Sequence, residues 1–323
     1  MMAVSQPEVI RSEKLSFRRV SRKLDDYWRI NSFSSLTSAT ARATEPADRD
    51  ALNLTEIEES NKEDETGEKE DIEDIFTFPK GARAGTFFHD LLENLDFTGA
   101  IPPGLVELAG VKLYDYGFEE SWLDTVCRAV THLLQCPLTI RERDFMLSKI
   151  GRNSRLNEME FYFPLKRITP EGLRGVFEKN SIHDVPADFP ETMERLYFKP
   201  SEGFMRGFID LVFEWKEKFY IVDWKSNVLG ANPEDYGRES IWKAMKSHWY
   251  VLQYHIYALA LDRYLKLRIP GYSYENDFGG VFYIFLRGID PMMGPDYGIF
   301  RDVPSPELME ALRTSLIDMP DGN

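Results

Sequence analysis

The chain has 323 residues, 43% of them apolar and 13% aromatic, which is material for one large or two modest folded domains and excludes a disordered or fibrous protein. No apolar run approaches the ~20 residues needed to span a bilayer. The net charge of −15 excludes a broadly basic nucleic-acid-binding surface, although it is unevenly spread: residues 1–44 carry +4, residues 45–74 carry −11 and the remainder −8.

Taken in chain order, MMAVSQPEVIRSEKLSF lacks an apolar core with a small-residue cleavage site, so no export signal is read. In LSFRRVSRKLDDYWRINSFSSL (15–36) basic and aromatic residues alternate, and SFSSL offers helix-cap chemistry. Fourteen Asp or Glu against three Lys or Arg in 45–74 leave too little apolar surface to offset the entropy of folding. A flexible acidic linker is therefore expected, extending to residue 78. Apolar residues at helical spacing (Phe87, Phe88, Leu91, Leu92, Leu95) predict a helix from about 83 to 95, and a second helix is expected over 119–135. LNEMEFYFPL reads as a strand ended by Pro164. FMRGFIDLVFEWKEKFYIVDW (204–224) reads as a hairpin turning at WKEK. A long helix is expected from about 238 to 267, and GGVFYIFLRG (279–288) is apolar enough for a buried strand. Cys127 and Cys136, in the helical-spaced VCRAVTHLLQCPL, are expected as two buried reduced thiols, which places the protein in the cytoplasm. The element order predicts an α/β layer fold with a mixed sheet.

The chemistry concentrates in the hairpin. Asp210 interrupts the apolar strand GFIDLVF, and Asp223 and Lys225 interrupt YIVDWKSN. Strand alternation points Asp223 and Lys225 to one face and Trp224 to the other. Charges in a sheet core are costly unless they pair or bind an ion. Two carboxylates converging from adjacent strands repel each other, which a hard divalent cation relieves. By itself the D…DxK spacing also fits a structural salt bridge, and a histidine on an apolar helix also fits a packed core residue.

This layout resembles the PD-(D/E)xK nuclease superfamily, with GFID as the first acidic motif and DWK as the second. Within it, the chain is similar to the C-terminal nuclease domain of the RecB subunit of exonuclease V. DDYWRINSFSSL, GTFFHDLLENLDF, NEMEFYFPL, GFIDLVF, VDWKSNVLG, LQYHIYALALDRYL and FGGVFYIFLRG resemble successive blocks of that domain in the same order, covering nearly the whole chain. The resemblance implies a restriction-endonuclease-like mixed central sheet flanked by helices. The expected division is a basic and aromatic segment at 1–44, the linker at 45–78 and the nuclease domain at 79–323.

It also implies roles. His89 matches a metal-ligating helix histidine, Asp210 and Asp223 match two metal-binding carboxylates, and Lys225 matches the catalytic lysine. The backbone carbonyl of Trp224 is implied as a further ligand. Glu158 matches a strand carboxylate near the site, with Glu160 on the same strand face as the competing choice. Gln253 and Tyr257 fit a Q-x-x-x-Y helix motif whose i, i+4 spacing shares one face, towards DNA backbone or the surroundings of the lysine. The alternative for that pair is a polar stripe on an ordinary amphipathic helix.

The implied cofactor is Mg²⁺, with Mn²⁺ or Ca²⁺ able to substitute in binding, and the implied reaction is phosphodiester hydrolysis leaving a 5′ phosphate. Implied partners are DNA fed as a single strand by a helicase, a RecB-like motor part, RecC-like and RecD-like subunits and the recombinase RecA, with no membrane. An iron–sulfur cluster needs four cysteine ligands and the chain has two. The chain departs from the RecB pattern in carrying no G-x-x-x-x-G-K-[ST] phosphate loop, so processive degradation is not expected of this polypeptide alone. The competing reading is a non-catalytic module that guides DNA or recruits a recombinase or helicase partners.

Overall fold

The computed structural model describes residues 27–37, 74–180 and 189–317. In chain order these form β1 (Trp28–Asn31), α1 (Phe33–Thr37), α2 (Ala82–Asn94), α3 (Leu105–Asp115), α4 (Leu123–Gln135), β2 (Arg155–Ile168), α5 (Pro170–Asn180) and α6 (Phe189–Thr192). There follow β3 (Ser201–Trp215), β4 (Lys218–Lys225), α7 (Arg238–Ser247), α8 (Tyr250–Arg268), α9 (Tyr274–Asp277), β5 (Phe278–Phe285), β6 (Ile299–Asp302) and α10 (Pro306–Leu316). The six strands make one mixed sheet with helices on both faces. The expected α/β, restriction-endonuclease-like architecture is what is observed.

β3 organises the sheet. One of its edges is antiparallel to β2 along nearly its whole length. The other edge is shared: β1 runs parallel to its N-terminal end through Glu202–Met205, and β4 pairs antiparallel with its C-terminal end from Leu211 to Trp215. β4 continues parallel to β5, and β5 antiparallel to β6. Among the described residues, 206–210 have no strand partner on the β1–β4 side, so the sheet forks there with Asp210 at the fork. Gly203 permits the close approach of β1, because a Cβ there would stand 2.4 Å from the Arg29 carbonyl oxygen. The hairpin turn is Lys216–Glu217, both with positive φ (49° and 61°), the geometry of a two-residue type I′ turn that matches the strand twist.

Each face of the sheet has its own core. Ile209, Val212, Ile221 and Tyr283 pack with α8, whereas Leu211, Phe213, Val222 and Trp224 pack with α2, α3 and α4. Ile209 and Leu211 therefore face opposite layers although they are two residues apart, so the alternation of β3 breaks between them. Opposite the break stands Glu158, with φ of 50°, a left-handed conformation that costs on the order of 1–3 kcal/mol for a residue with a Cβ.

Several sequence-based expectations need correction. Pro164 does not end its strand: β2 runs on to Ile168, and Pro164 pairs with Phe204. The proline is tolerated because β2 is an edge strand and needs no ladder donor on its outer side. The helix expected from 238 to 267 is two helices, because Trp249 adopts φ of 62° and buries its indole in the α8-side core. Helices α3, α5 and α10 and strand β6 were not anticipated. The linker expected over 45–78 ends earlier: its residues before 74 lie outside the described residues, but Phe78 is fully buried against Phe87, Phe88 and Phe118. No helix among the described residues is long and apolar enough to cross a membrane.

Of the two free cysteines, Cys136 is buried but Cys127 is partly exposed. Burial pushes the Cys136 thiol up to about 12 from the ordinary value of 9.0. Because the folded value exceeds the unfolded one, burial of the neutral thiol stabilises the fold fully below pH 9.0 and progressively less as the pH rises toward 12. We expect Cys136 to be silent to a disulfide reagent at pH 8 in the native protein and to react once guanidinium is added. Titration of both cysteines at equal rate in native buffer would contradict this burial.

Candidate metal and catalytic site

Helix α2 forms because its apolar residues recur at helical spacing, and the same spacing lays its buried side against the sheet. His89 lies on that side, 8% exposed, and reaches the fork. Its Nδ1 stands 3.3 Å from Asp210 Oδ1, and its Nε2 stands 3.1 Å from the Trp224 carbonyl oxygen. A carbonyl only accepts, so Nε2 carries the proton. Nδ1 faces a carboxylate oxygen, where it either donates as an imidazolium or shares a cation with the carboxylate. The other Asp210 oxygen accepts the backbone N–H of Trp224 at 2.7 Å, which fixes the carboxylate.

Pairs Asn157↔Leu211 and Met159↔Ile209 put Glu158 opposite Asp210. Ligand atoms of His89, Glu158 and Asp210 all lie within 4.8 Å of one another. Two carboxylates this close repel. The donor set of one imidazole and two carboxylates suits a divalent cation. The three residues therefore fit a metal site.

Sequence reasoning could not separate Glu158 from Glu160, since residues two apart share a strand face. The fold separates them. Glu160 pairs with Arg206, at 2.8 and 2.9 Å, whereas Glu158 turns to the fork.

Asp223 falls outside this trio. The pair Leu211↔Val222 puts it one step beyond the paired residues, level with Asp210, but its Oδ2 meets Lys225 Nζ at 2.7 Å. The same-face expectation for Asp223 and Lys225 is thus realised as a contact. Lys225 is 4% exposed and donates to Gln253 Oε1 at 3.2 Å, which also accepts Tyr283 O–H at 3.0 Å. Gln253 Nε2 donates to Tyr257 Oη at 3.0 Å. Of the two settings expected for Gln253 and Tyr257, the structure places them around the lysine, buried in the core.

Sequence reasoning missed two residues here. The ring of Tyr250 lies 3.9 Å from Lys225 Nζ and that of Tyr283 5.3 Å, so aromatic faces stabilise the buried ammonium. Their signal was faint, since tyrosines in a predicted helix and a predicted buried strand read as core.

Arg287 was also missed, although LRG closes the β5 run. It is 1% exposed and donates to the carbonyls of Ile75, Phe78 and Pro79 at 2.6–2.9 Å and to that of Ser226 at 3.3 Å. It thereby ties the segment leading into α2 to the residue after Lys225. Burial lowers its pKa, yet at neutral pH it remains charged. Arg287→Met leaves several buried carbonyls without a donor. The expected loss is on the order of 3–5 kcal/mol, read as a lower urea midpoint; an unchanged midpoint would show that the clamp contributes nothing.

Where a sheet forks at an acidic residue, the next strand carries D-x-K and a histidine-bearing helix crosses the fork, the fold is restriction-endonuclease-like, of the PD-(D/E)xK class. Sequence comparison narrows this. The chain is 34% identical over 308 residues to the RecBCD enzyme subunit RecB of Escherichia coli K12, a match covering 93% of this chain and 24% of that subunit. It is 33% identical over 304 residues to the RecB of Haemophilus influenzae (90% and 24%) and 31% identical over 339 residues to that of Mycolicibacterium smegmatis (95% and 30%). No family model matches the chain. The chain is similar to RecB subunits along about nine-tenths of its own length and spans about a quarter of the length of those it matches first.

Proposed function

We propose that the chain is a divalent-metal-dependent deoxyribonuclease, the nuclease part of a RecBCD-like helicase–nuclease acting in DNA double-strand-break repair and recombination. The observation that carries this is the convergence of His89, Glu158 and Asp210 within 4.8 Å at the sheet fork, with the Lys225–Asp223 pair on the adjoining strand. Similarity to RecBCD subunits over 93% of the chain supports the cellular role.

In this reading His89, Glu158 and Asp210 hold a Mg²⁺ ion, and Asp223 and the Trp224 carbonyl complete the protein side of the site. The ion supplies charge neutralisation at a phosphate oxygen and acidifies the attacking water. Lys225 contributes a fixed positive charge that orients the nucleophile and offsets the charge gathering on phosphorus. Gln253, Tyr283 and Tyr250 hold the ammonium, and Asp223 sets its direction. The strand comes from a helicase motor, with RecC-like and RecD-like subunits completing the assembly and RecA as the recombinase recruited to the product. The net charge of −8 over 75–323 makes independent DNA capture weak and salt-sensitive.

Titration with Mn²⁺ or Ca²⁺ by calorimetry tests the metal site. The chain is expected to bind an ion, and His89→Ala is expected to weaken binding at least about ten-fold. With Mg²⁺ it is expected to degrade single-stranded DNA, and EDTA is expected to stop it. Cleavage that persists in EDTA, or the same ion affinity in His89→Ala, would remove this site from the reaction.

A further inference from the structure

Among the described residues, no helix covers the sheet face leading to the fork. Along β3, Phe204, Arg206 and Phe208 point away from the α8-side core that takes Met205 and Ile209. Their cross-strand neighbours share that face: Ile30 beside Phe204, and Tyr162 beside Arg206. Trp28 is 64% exposed, Tyr162 50% and Phe204 38%. The indole of Trp28 meets the Phe204 ring edge-on at 6.1 Å, and the Arg206 guanidinium lies over the rings of both Tyr162 and Phe208, at 5.4 and 5.2 Å. An exposed sheet surface of this kind is not needed for folding, since each strand already buries its other face.

The next residue of β3 on this face is Asp210, with Glu158 opposite. From Phe204 to Asp210 is six residues, about 20 Å along the strand. The uncovered face ends where α2 begins to cover the sheet, and His89 stands at that boundary. We propose that this face is a stacking platform for single-stranded DNA, on which bases lie against Trp28, Phe204 and Tyr162 while the backbone runs along β3 into the His89–Glu158–Asp210 site. The proposal rests on the nuclease reading and adds its binding surface. Two arguments favour a nucleic-acid strand over a protein partner: the rings lie in line with the site, with the Glu160–Arg206 pair between them and it, and a protein seated on them would close this approach. Aromatic stacking tolerates any base. It also supplies affinity that the acidic balance of the chain does not.

The test is binding of a labelled oligo(dT) to the full chain in low-salt buffer with EDTA, followed by fluorescence anisotropy, for the wild type and for Trp28→Ala, Phe204→Ala and Tyr162→Ala. Each substitution is expected to weaken binding about five-fold or more, and Trp28 emission is expected to be quenched by oligo(dT) in the wild type. Trp28→Ala and Tyr162→Ala alter highly exposed side chains, so folding is not the limiting concern. Wild-type affinity in all three variants overturns the platform. So does unchanged DNA affinity accompanied by lost association with a motor subunit, which would make the face a protein interface. Binding is read without a divalent ion and cleavage separately with Mg²⁺, so the two readings are distinguishable: a chain that binds through these rings yet never cleaves would sink the nuclease assignment, whereas a cleaving chain indifferent to the substitutions would sink the platform alone.

Discussion

Asp210→Asn is expected to reduce Mg²⁺-dependent DNA cleavage by at least about a thousand-fold while leaving the fold as stable as before or slightly more so. The activity loss follows from charge. Asp210 lies at the fork with His89 and Glu158 around it, and several kcal/mol of charge stabilisation held there is worth about ten-fold in rate per 1.36 kcal/mol. The stability half follows from geometry. The asparagine oxygen can still accept the Trp224 N–H that Asp210 accepts at 2.7 Å, and its amide can donate to His89 Nδ1. The repulsion between Asp210 and Glu158 disappears. Paired measurements of rate and of melting temperature in metal-free buffer check both halves. A variant that cuts DNA at the wild-type rate would end the metal-site reading, and one that simply melts early would make Asp210 a structural residue.

Lys225→Met is expected to lose both stability and activity, and the two losses should separate in a double mutant. Lys225 and Asp223 are 4% and 2% exposed and 2.7 Å apart. Removing the ammonium leaves a buried carboxylate without its counter-charge, a loss of about 3–5 kcal/mol. Replacing both, as Lys225→Met with Asp223→Leu, removes the unpaired charge, and most of the stability is expected to return. Activity should not return, because the fixed positive charge at the reacting phosphate is worth about 10²–10³-fold and is absent from both variants. Recovery of cleavage in the double mutant would show that the pair serves only the fold. Equal stability loss in the single and double mutants would show that Gln253, Tyr250 and Tyr283, rather than Asp223, set the energetics of the lysine.

Local rules, applied to named residues, account for most of what was legible in advance. The apolar spacing of Phe87, Phe88, Leu91 and Leu92 specified α2 to within a residue or two, because a helix with one apolar stripe has a single way to bury it. The run GFIDLVF with YIVDWK specified a hairpin, and period-two alternation put Asp223 and Lys225 on one face, where they are in contact. The weaker expectations failed where a local preference was overruled by its position in the fold. Pro164 survives inside β2 because that strand has a neighbouring strand along one edge only, its outer side meeting just an isolated bridge between Leu165 and Ile317. Trp249 breaks the long helix because its indole is buried at the cost of a left-handed backbone.

What the sequence determined by itself is a set of charged residues placed on strands and helices that could not bury them cheaply, and the kind of chemistry such charges require. What only the tertiary structure decided is which of them meet. The choice of Glu158 over Glu160 turns on one left-handed residue in β2 and the break of alternation beside Asp210. The distance between His89 and Asp210 spans more than a hundred residues of chain. Strand periodicity fixes a side chain's face but carries no information about where two strands part or which helix crosses the gap. Those depend on the packing of two separate cores, one on each side of the sheet, and the fork they leave between β1 and β4 is where the site lies.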